Sequence, residues 1–437
     1  MRKAPRALGG ALLLIALALV SSGCLWAFPR FDSGGTGNNT SENTLTMANV
    51  SGLHESWRTP ALGTFRSEPL VSSTTVFVAT LGASGSELQA FDLAGTTGCS
   101  GSPKVCQPLW TAPLNHFGQP SIGGTKIFVS GAAYDLAGTT NCAGAPKVCQ
   151  PLFTTSSSFI STVIVGDVVY ATPTITGTEV LSVYDATGTN GCAGSPKVCA
   201  PLRTYRATCN VGETCQANQP VAEGDRVFVP IGVNNGTDFT GRVAAFDRNG
   251  VTGCAGTPTV CQTIWLRTVG APWNIVASGG RVWTAASTSN ITNSPPTSFR
   301  LFALSAVDGT TVGSTPPTTT ASTVVSVGGD LVHLAKGQTV ETYDATCTGT
   351  CPALRFYGAA GAALFPIIAN GLLYSGNQSA LKVYDVNGVA NCGGTPIPGC
   401  APIANIPLPV DLRLSAVQSG KVVFNGDNDG RIRVFGL

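Results

Sequence analysis

A chain of 437 residues could hold one large domain or several ordinary ones, so length excludes little. Charged residues make up only 11% of it, against about 25% in an average soluble domain, and the 53 glycines favour many short strands and tight turns over long helices. A net charge of +2 without a Lys/Arg run leaves no footprint for nucleic acid or an acidic surface, and neither is expected as a partner.

At the N-terminus Arg2, Lys3 and Arg6 precede an apolar run from Ala7 to Val20, which is too short to span a bilayer and reads as a secretory signal over residues 1–23. The run leads into Val20-Ser21-Ser22-Gly23-Cys24. This resembles a bacterial lipobox, although Ser21 stands where an aliphatic residue is usual. An ordinary cleaved signal with an incidental cysteine is the alternative. Residues 24–52 are expected to hold a lipid-attachment cysteine, Cys24, followed by a flexible tether, because the stretch after it is rich in Gly, Asn, Ser and Thr and has no helical or strand period. Deleting the tether is expected to leave the fold intact.

Residues 53–437 carry a unit that recurs eight times from Arg66 onward. Each copy has an apolar strand, a turn that is Gly-centred in all but the first, and a second strand with an aromatic residue, as in Val76-Phe77-Val78, Ile127-Phe128-Val129 and Val227-Phe228-Val229; Val332-His333-Leu334 puts a histidine in that place. A third strand ends in an apolar residue and Asp: Phe91-Asp92, Tyr134-Asp135, Tyr184-Asp185, Phe246-Asp247, Val307-Asp308, Tyr343-Asp344 and Tyr384-Asp385. An Asp at one place in every unit reads as a turn cap rather than a catalytic carboxylate. The eighth unit reaches Val434-Phe435 without a fourth strand, and a matching strand with Trp57 in the position of Trp110 and Trp265 lies ahead of the first unit. The expected fold is therefore all-β: an eight-bladed β-propeller of four-stranded antiparallel blades, closed by that N-terminal strand, rather than an open solenoid.

Fifteen cysteines leave one over when close neighbours are paired as Cys99/Cys106, Cys142/Cys149, Cys192/Cys199, Cys209/Cys215, Cys254/Cys261, Cys347/Cys351 and Cys392/Cys400. In five units the first cysteine follows the Asp by seven residues. Structural zinc needs two close pairs converging, so disulfides fit better with a secretory signal, each closing a surface loop of its blade. Cys24 is the leftover, as a lipidated residue would be.

The turn glycine, aromatic strand, terminal Asp and returning Trp, in register over residues 53–437, resemble the quinoprotein-type, or PQQ-like, propeller repeat family, from which the cysteine loop is a departure. The resemblance implies either of two functions. Quinone-dependent dehydrogenases of this type have a vicinal disulfide, a Ca²⁺ site and an acidic base, and no adjacent cysteine pair occurs here. No Ser/His/Asp order, HExxH or phosphate loop stands out, so no catalytic, cofactor-binding or metal residue is assigned and no cofactor is expected. The expectation is a monomeric, non-catalytic binding or scaffold protein, lipid-anchored at the outer face of a bacterial membrane, whose partner is an envelope protein or extracellular ligand. The alternative is a quinone-dependent dehydrogenase or carbohydrate-processing enzyme working in the central channel. Blade loops would bring Arg66, His116, Trp273 and Arg413 to the channel mouth, where a ligand could bind.

Overall fold

Because the repeat alternates short apolar runs with turns, strands and not helices should dominate. The computed structural model describes residues 25–437 except 66, 83–84, 117, 237, 273, 288–290, 293–297, 321, 359–363, 377–379, 409–411 and 427–428. Among the described residues the only helical turn is Val50–Gly52, and the strands form eight sheets, numbered here by unit. Sheet 2 shows the plan: Ser121–Gly123, Lys126–Val129, Ala132–Asp135 and Phe153–Thr155 pair antiparallel in chain order. The second strands are apolar on both faces, as in the wholly buried Val227, Phe228 and Val229, because neighbouring sheets cover them on both sides. From sheet 2 to sheet 8 the first strand of each sheet lies against the first strand of the next, and that of sheet 8, Leu412–Gln418, lies against Leu70–Val71 of sheet 1.

The N-terminal strand expected to complete the last unit pairs with it. His54–Arg58 is the fourth strand of sheet 8, with Trp57 opposite Val434 and Glu55 opposite Phe435. Trp57 is fully buried, and its indole N–H donates to the Leu93 carbonyl of the next unit at 3.0 Å. The same joint recurs around the molecule: Trp57, Trp110, Phe153, Arg203, Trp265 and Arg355 lie over Gly95, Gly138, Gly188, Gly250, Gly309 and Gly388 of the following unit. These glycines have positive φ, and a Cβ on any of them would come within 1.9 to 2.8 Å of the side chain above.

Ahead of five of these glycines the terminal Asp caps the turn. The Asp135 carboxylate accepts from Thr139 N, Thr139 Oγ1 and Thr140 N at 2.7 to 2.8 Å, and Asp92, Asp185, Asp247 and Asp385 do likewise. Partial desolvation works to raise these carboxyls, but the donated hydrogen bonds outweigh it and hold them below the usual carboxylate range. Unit 5 corrects the reading of Val307-Asp308 as the end of its third strand. That strand ends at Leu304-Ser305, with Ser305 opposite Arg281 just as Asp92 is opposite Thr75, and Val307 and Asp308 belong to the turn.

All seven neighbouring cysteine pairs are bonded within their own loops: Cys99–Cys106, Cys142–Cys149, Cys192–Cys199, Cys209–Cys215, Cys254–Cys261, Cys347–Cys351 and Cys392–Cys400. Seven closed disulfides suit an extracytoplasmic, oxidising compartment. The bridges close surface loops, as expected, and do more. In every bridge the first cysteine is half-buried, but the second is buried, and this holds for Cys106, Cys149, Cys199, Cys215, Cys261, Cys351 and Cys400 alike. The physical reason is that six of the bridged loops reach beyond themselves, since each lays a short strand parallel to the outer strand of the preceding sheet and turns a sulfur inward against apolar neighbours. Cys261 thereby joins the cluster of Tyr205 and Phe246, and Cys351 that of Leu301 and Tyr343. The register pairs are Arg58 with Val105, Thr111 with Val148, Thr154 with Val198, Arg203 with Thr259, Gly313 with Gly349 and Phe356 with Gly399.

The expected flexible tether over residues 24–52 is corrected. Cys24 lies outside the described residues, but from Leu25 the segment is packed, with Trp26, Leu45 and Val50 fully buried. It runs around the inner rim and meets the sheets in order. Trp26 exchanges backbone hydrogen bonds with Val71 of sheet 1. Ile122 of sheet 2 donates to Ala27 O, Phe28 packs on the apolar clusters flanking sheet 3, and Ala222, Ala277, Val327 and Ile368 of sheets 4 to 7 donate to Ser33, Gly34, Thr36 and Gly37 at 2.7 to 2.9 Å. Asn39 then donates from Nδ2 to Val417 O of sheet 8 at 2.7 Å. The physical reason is that inner strands present a row of unpaired backbone N–H groups to the axis, which need acceptors once water is excluded. Glycine here serves close approach rather than flexibility: a Cβ on Gly34 would lie 2.4 Å from Ala277 O, and Gly37 has φ +66°.

Candidate functional site

The central channel is where eight inner strands and the encircling segment converge. Arg30, in the middle of that segment, is buried and points across the channel. Its Nε donates to Gly35 O at 3.2 Å and its Nη2 to Ser326 Oγ at 2.8 Å and to Val325 O. Burial pushes its guanidinium down to about 10, against the opposing pull of Glu68 and Asp32. Glu68 is raised by desolvation, which the nearby Arg30 and Arg413 cations only partly offset. Its backbone N–H donates to Gln119 Oε1 at 2.9 Å, and Gln119 Nε2 returns a bond to Glu68 O. Asp32 is likewise raised by desolvation, although it accepts from Thr36 N at 2.9 Å and Thr36 Oγ1 at 2.6 Å. These groups tie the segment to the ring.

Among the described residues the cavities against them are small. One cavity, against Phe28, Asp32 and Asn274, and another, between Trp26, Glu68 and Leu414, each hold about 10 Å³, room for a single water. A wider groove of about 500 Å³ opens between the hairpins of sheets 6 and 7, lined by Asn38, Asp330, Arg355 and Asn387. Among the described residues the one close group of metal-ligand types is Cys209, Glu213 and Cys215. Its two sulfurs are bonded to each other and Glu213 is held by Arg242 at 2.8 Å, so it offers no thiolate.

Of the four residues expected at the channel mouth, Arg66 and Trp273 lie outside the described residues. His116 sits on the connection into the first strand of sheet 2, where its carbonyl accepts from Ser130 Oγ at 2.7 Å. Arg413 is exposed at the leading end of the first strand of sheet 8 and acts on Glu68 from there. Both stand at the end of the channel opposite the encircling segment. His333 fills the aromatic slot of sheet 6, fully buried, with Nδ1 2.9 Å from Thr342 Oγ1. Sequence reasoning missed Arg30, Asp32 and Glu68. The signal for the first two was their place among Trp26, Phe28 and Phe31, since a solvated linker needs no such run of aromatic residues.

No protein-family model matches the sequence, and no curated protein matches it. The fold itself has solved relatives. A quinohemoprotein alcohol dehydrogenase from Pseudomonas putida HK5 aligns over 98% of this chain and 82% of its own with a TM-score of 0.59 at 9% identity. A europium-containing methanol dehydrogenase aligns over 96% and 99% with a TM-score of 0.55 at 11% identity. The C-terminal WD40 domain of Sif2 aligns over 88% and 98% with a TM-score of 0.51 at 9% identity. Dehydrogenases and a WD40 domain thus share one architecture, and likeness at such identities carries the fold alone. The chain has a β-propeller fold.

Proposed function

We propose that the eight sheets are the blades of a closed eight-bladed propeller, and that the protein is a non-catalytic extracytoplasmic binding or scaffold protein, lipid-anchored through Cys24 at a bacterial cell envelope. The observation that carries this reading is the occupation of one end of the channel by the encircling segment. The place where an enzyme on this fold would hold a quinone is taken up by Trp26–Asn39 at one end, and the cavities beside it admit one water each. The double contact of the first and last sheets, through Leu412–Gln418 against Leu70–Val71 and through His54–Arg58, supports closure.

Two measurements on the full chain test the proposal. The purified protein mixed with pyrroloquinoline quinone and Ca²⁺ should keep the summed spectrum of its parts and oxidise no alcohol or sugar. Affinity capture from native membranes should retain a defined partner, and Cys24→Ala should release the protein from those membranes. Quinone-dependent oxidation would overturn the scaffold reading, and an unmodified mature N-terminus beyond Cys24 would overturn the anchor.

A further inference from the structure

Six of the eight outer strands receive a parallel strand from the bridged loop of the next unit. The backbone geometry is shared. The residue after the docked side chain donates its N–H outward to the incoming strand, from Arg58 to Lys104 O, Thr111 to Lys147 O and Thr154 to Lys197 O at 3.0 to 3.1 Å. In sheet 4 the outer strand is Trp265–Thr268, and Leu266 stands in that same place after Trp265. Trp265 is docked as its counterparts are, with Nε1 donating to Ala306 O at 3.1 Å. Among the described residues no strand pairs with the outer side of Trp265–Thr268. The cause is in the sequence: unit 5 passes from Ser305 to Thr311 through residues 306–310 alone, where unit 1 inserts a bridged hairpin between Asp92 and Trp110. Sheet 7 also lacks an incoming strand, but the Val50–Gly52 turn lies beside its outer strand, Ala404–Pro407.

We propose that Trp265–Thr268 is a docking edge for an extended segment of a partner protein, which adds as a parallel strand in the slot that bridged hairpins fill elsewhere. This rests on the binding-protein reading and gives it a place. The six native occupants define the chemistry of the segment. They are short and largely uncharged, and where they carry the second cysteine of a bridge it is buried and follows a β-branched residue or glycine, as in Val105-Cys106, Val148-Cys149, Val198-Cys199, Val260-Cys261 and Gly399-Cys400. The partner segment therefore has a small inward side chain after a β-branched one. Main-chain bonds supply its affinity, and the inward residue its selectivity. Exposed apolar surface adjoins the slot at Val307, 72% exposed in the turn on which Trp265 docks.

The probe is a synthetic peptide copying residues 144–151 of this chain with serine for Cys149, added to the full protein while amide exchange is followed. The amides of Leu266 and Thr268 should exchange at least about tenfold more slowly, while those of Thr111 and Thr154, whose slots are filled, stay unchanged. Replacing residues 306–310 by residues 136–151 supplies a hairpin from within and should abolish that protection. If this graft fails to fold, Leu266→Pro removes the outward N–H on an edge strand and should abolish it instead. Unchanged exchange at Leu266 and Thr268, protection that survives both variants, or dimerisation through this edge would overturn the proposal. Membrane capture that persists without peptide protection would sink the edge and spare the scaffold reading, whereas quinone-dependent oxidation would do the reverse.

Discussion

At the outer rim His54–Arg58 completes sheet 8 as an ordinary antiparallel strand, whereas at the inner rim Trp26–Asn39 ties the sheets together without being a strand for most of its length. The outer tie has one buried apolar residue, Trp57, amid the ion-paired Glu55 and Arg58, and repeats a joint used by five other units. The inner tie is polar, rich in glycine and used once. The difference teaches that strand-like periodicity is needed to join a sheet along its length, but not to cross many sheets at single points. There a backbone has only to supply a carbonyl to most of the sheets at the right spacing, and glycine is required only where the approach is closest, as at Gly34 and Gly37.

Two deletions would break the comparison most sharply. Removing residues 53–59 should abolish cooperative unfolding of the ring, because it leaves sheet 8 with a bare edge and unit 1 without Trp57. Removing residues 25–39 should lower the melting temperature by several degrees but leave a folded ring, since water can enter the emptied channel and replace lost acceptors at about 0.5–1.5 kcal/mol each. Thermal melts of both would test this, and an unaltered melt for the second would restore the tether reading.

Single truncations give a smaller and graded effect. Trp57→Ala should cost about 3–5 kcal/mol in urea unfolding, the usual range for emptying a wholly packed tryptophan site. Trp26→Ala removes an equally buried ring, but one bordering the channel cavity, and should cost less. Equal losses would show that the two rims share load evenly.

The smallest effect concerns pH. Burial, with the Arg355 cation adding to it, pushes the His333 imidazole down to about 3. The unfolded chain binds a proton at about 6.5 that the folded chain refuses, so this group's share of stability is full above that pH and is lost as pH falls toward 3. His333→Phe, which copies Phe77 and Phe424 in sibling sheets, should flatten the change in unfolding free energy between pH 7.5 and 5 by about 2 kcal/mol. The low-lying turn carboxylates act only at more acid pH, so they do not confuse the measurement. A slope unchanged by the substitution would mean that His333 is not held neutral.

Much of the ring was legible in the sequence because its determinants are local. Trp57, the eight apolar second strands and the Asp-capped loops announce themselves by residue type and offset. The misplacement of unit 5 arose because Val307-Asp308 imitates the strand ending that Leu304-Ser305 holds in space. Cysteine spacing told which sulfurs bond, but not that Cys261, Cys351 and their counterparts are buried, because burial comes from the preceding sheet and not from the loop itself. The reach of the bridged hairpins left a trace in the recurring Lys-Val-Cys of Lys104-Val105-Cys106, Lys147-Val148-Cys149 and Lys197-Val198-Cys199, where a β-branched residue beside a buried sulfur implies pairing. The inner tie was the hardest to read, since composition alone does not distinguish a solvated linker from a backbone fixed by acceptor geometry. Of the proposed channel-mouth residues, Arg413 connects to a charged group through Glu68, a residue with no repeat signature of its own.

The circular path of the inner tie also constrains how the protein can be made. Trp26 bonds to sheet 1 and Asn39 to sheet 8, while His54 stands opposite Gly436. Asn39 and His54–Arg58 therefore cannot reach their final partners until sheet 8, far later in the chain, has formed. Contacts between such distant parts of a chain form slowly, because loop closure must precede any gain from pairing. Sheets 1 to 7 can assemble in turn with neighbours already present, but the N-terminal segment must wait beside a partly built ring whose inner edges are open. Until it docks, the N–H groups of Val71, Ile122, Ala222, Ala277, Val327 and Ile368 are bare at the axis, and the interval before docking is the period in which the protein is most exposed to misassembly.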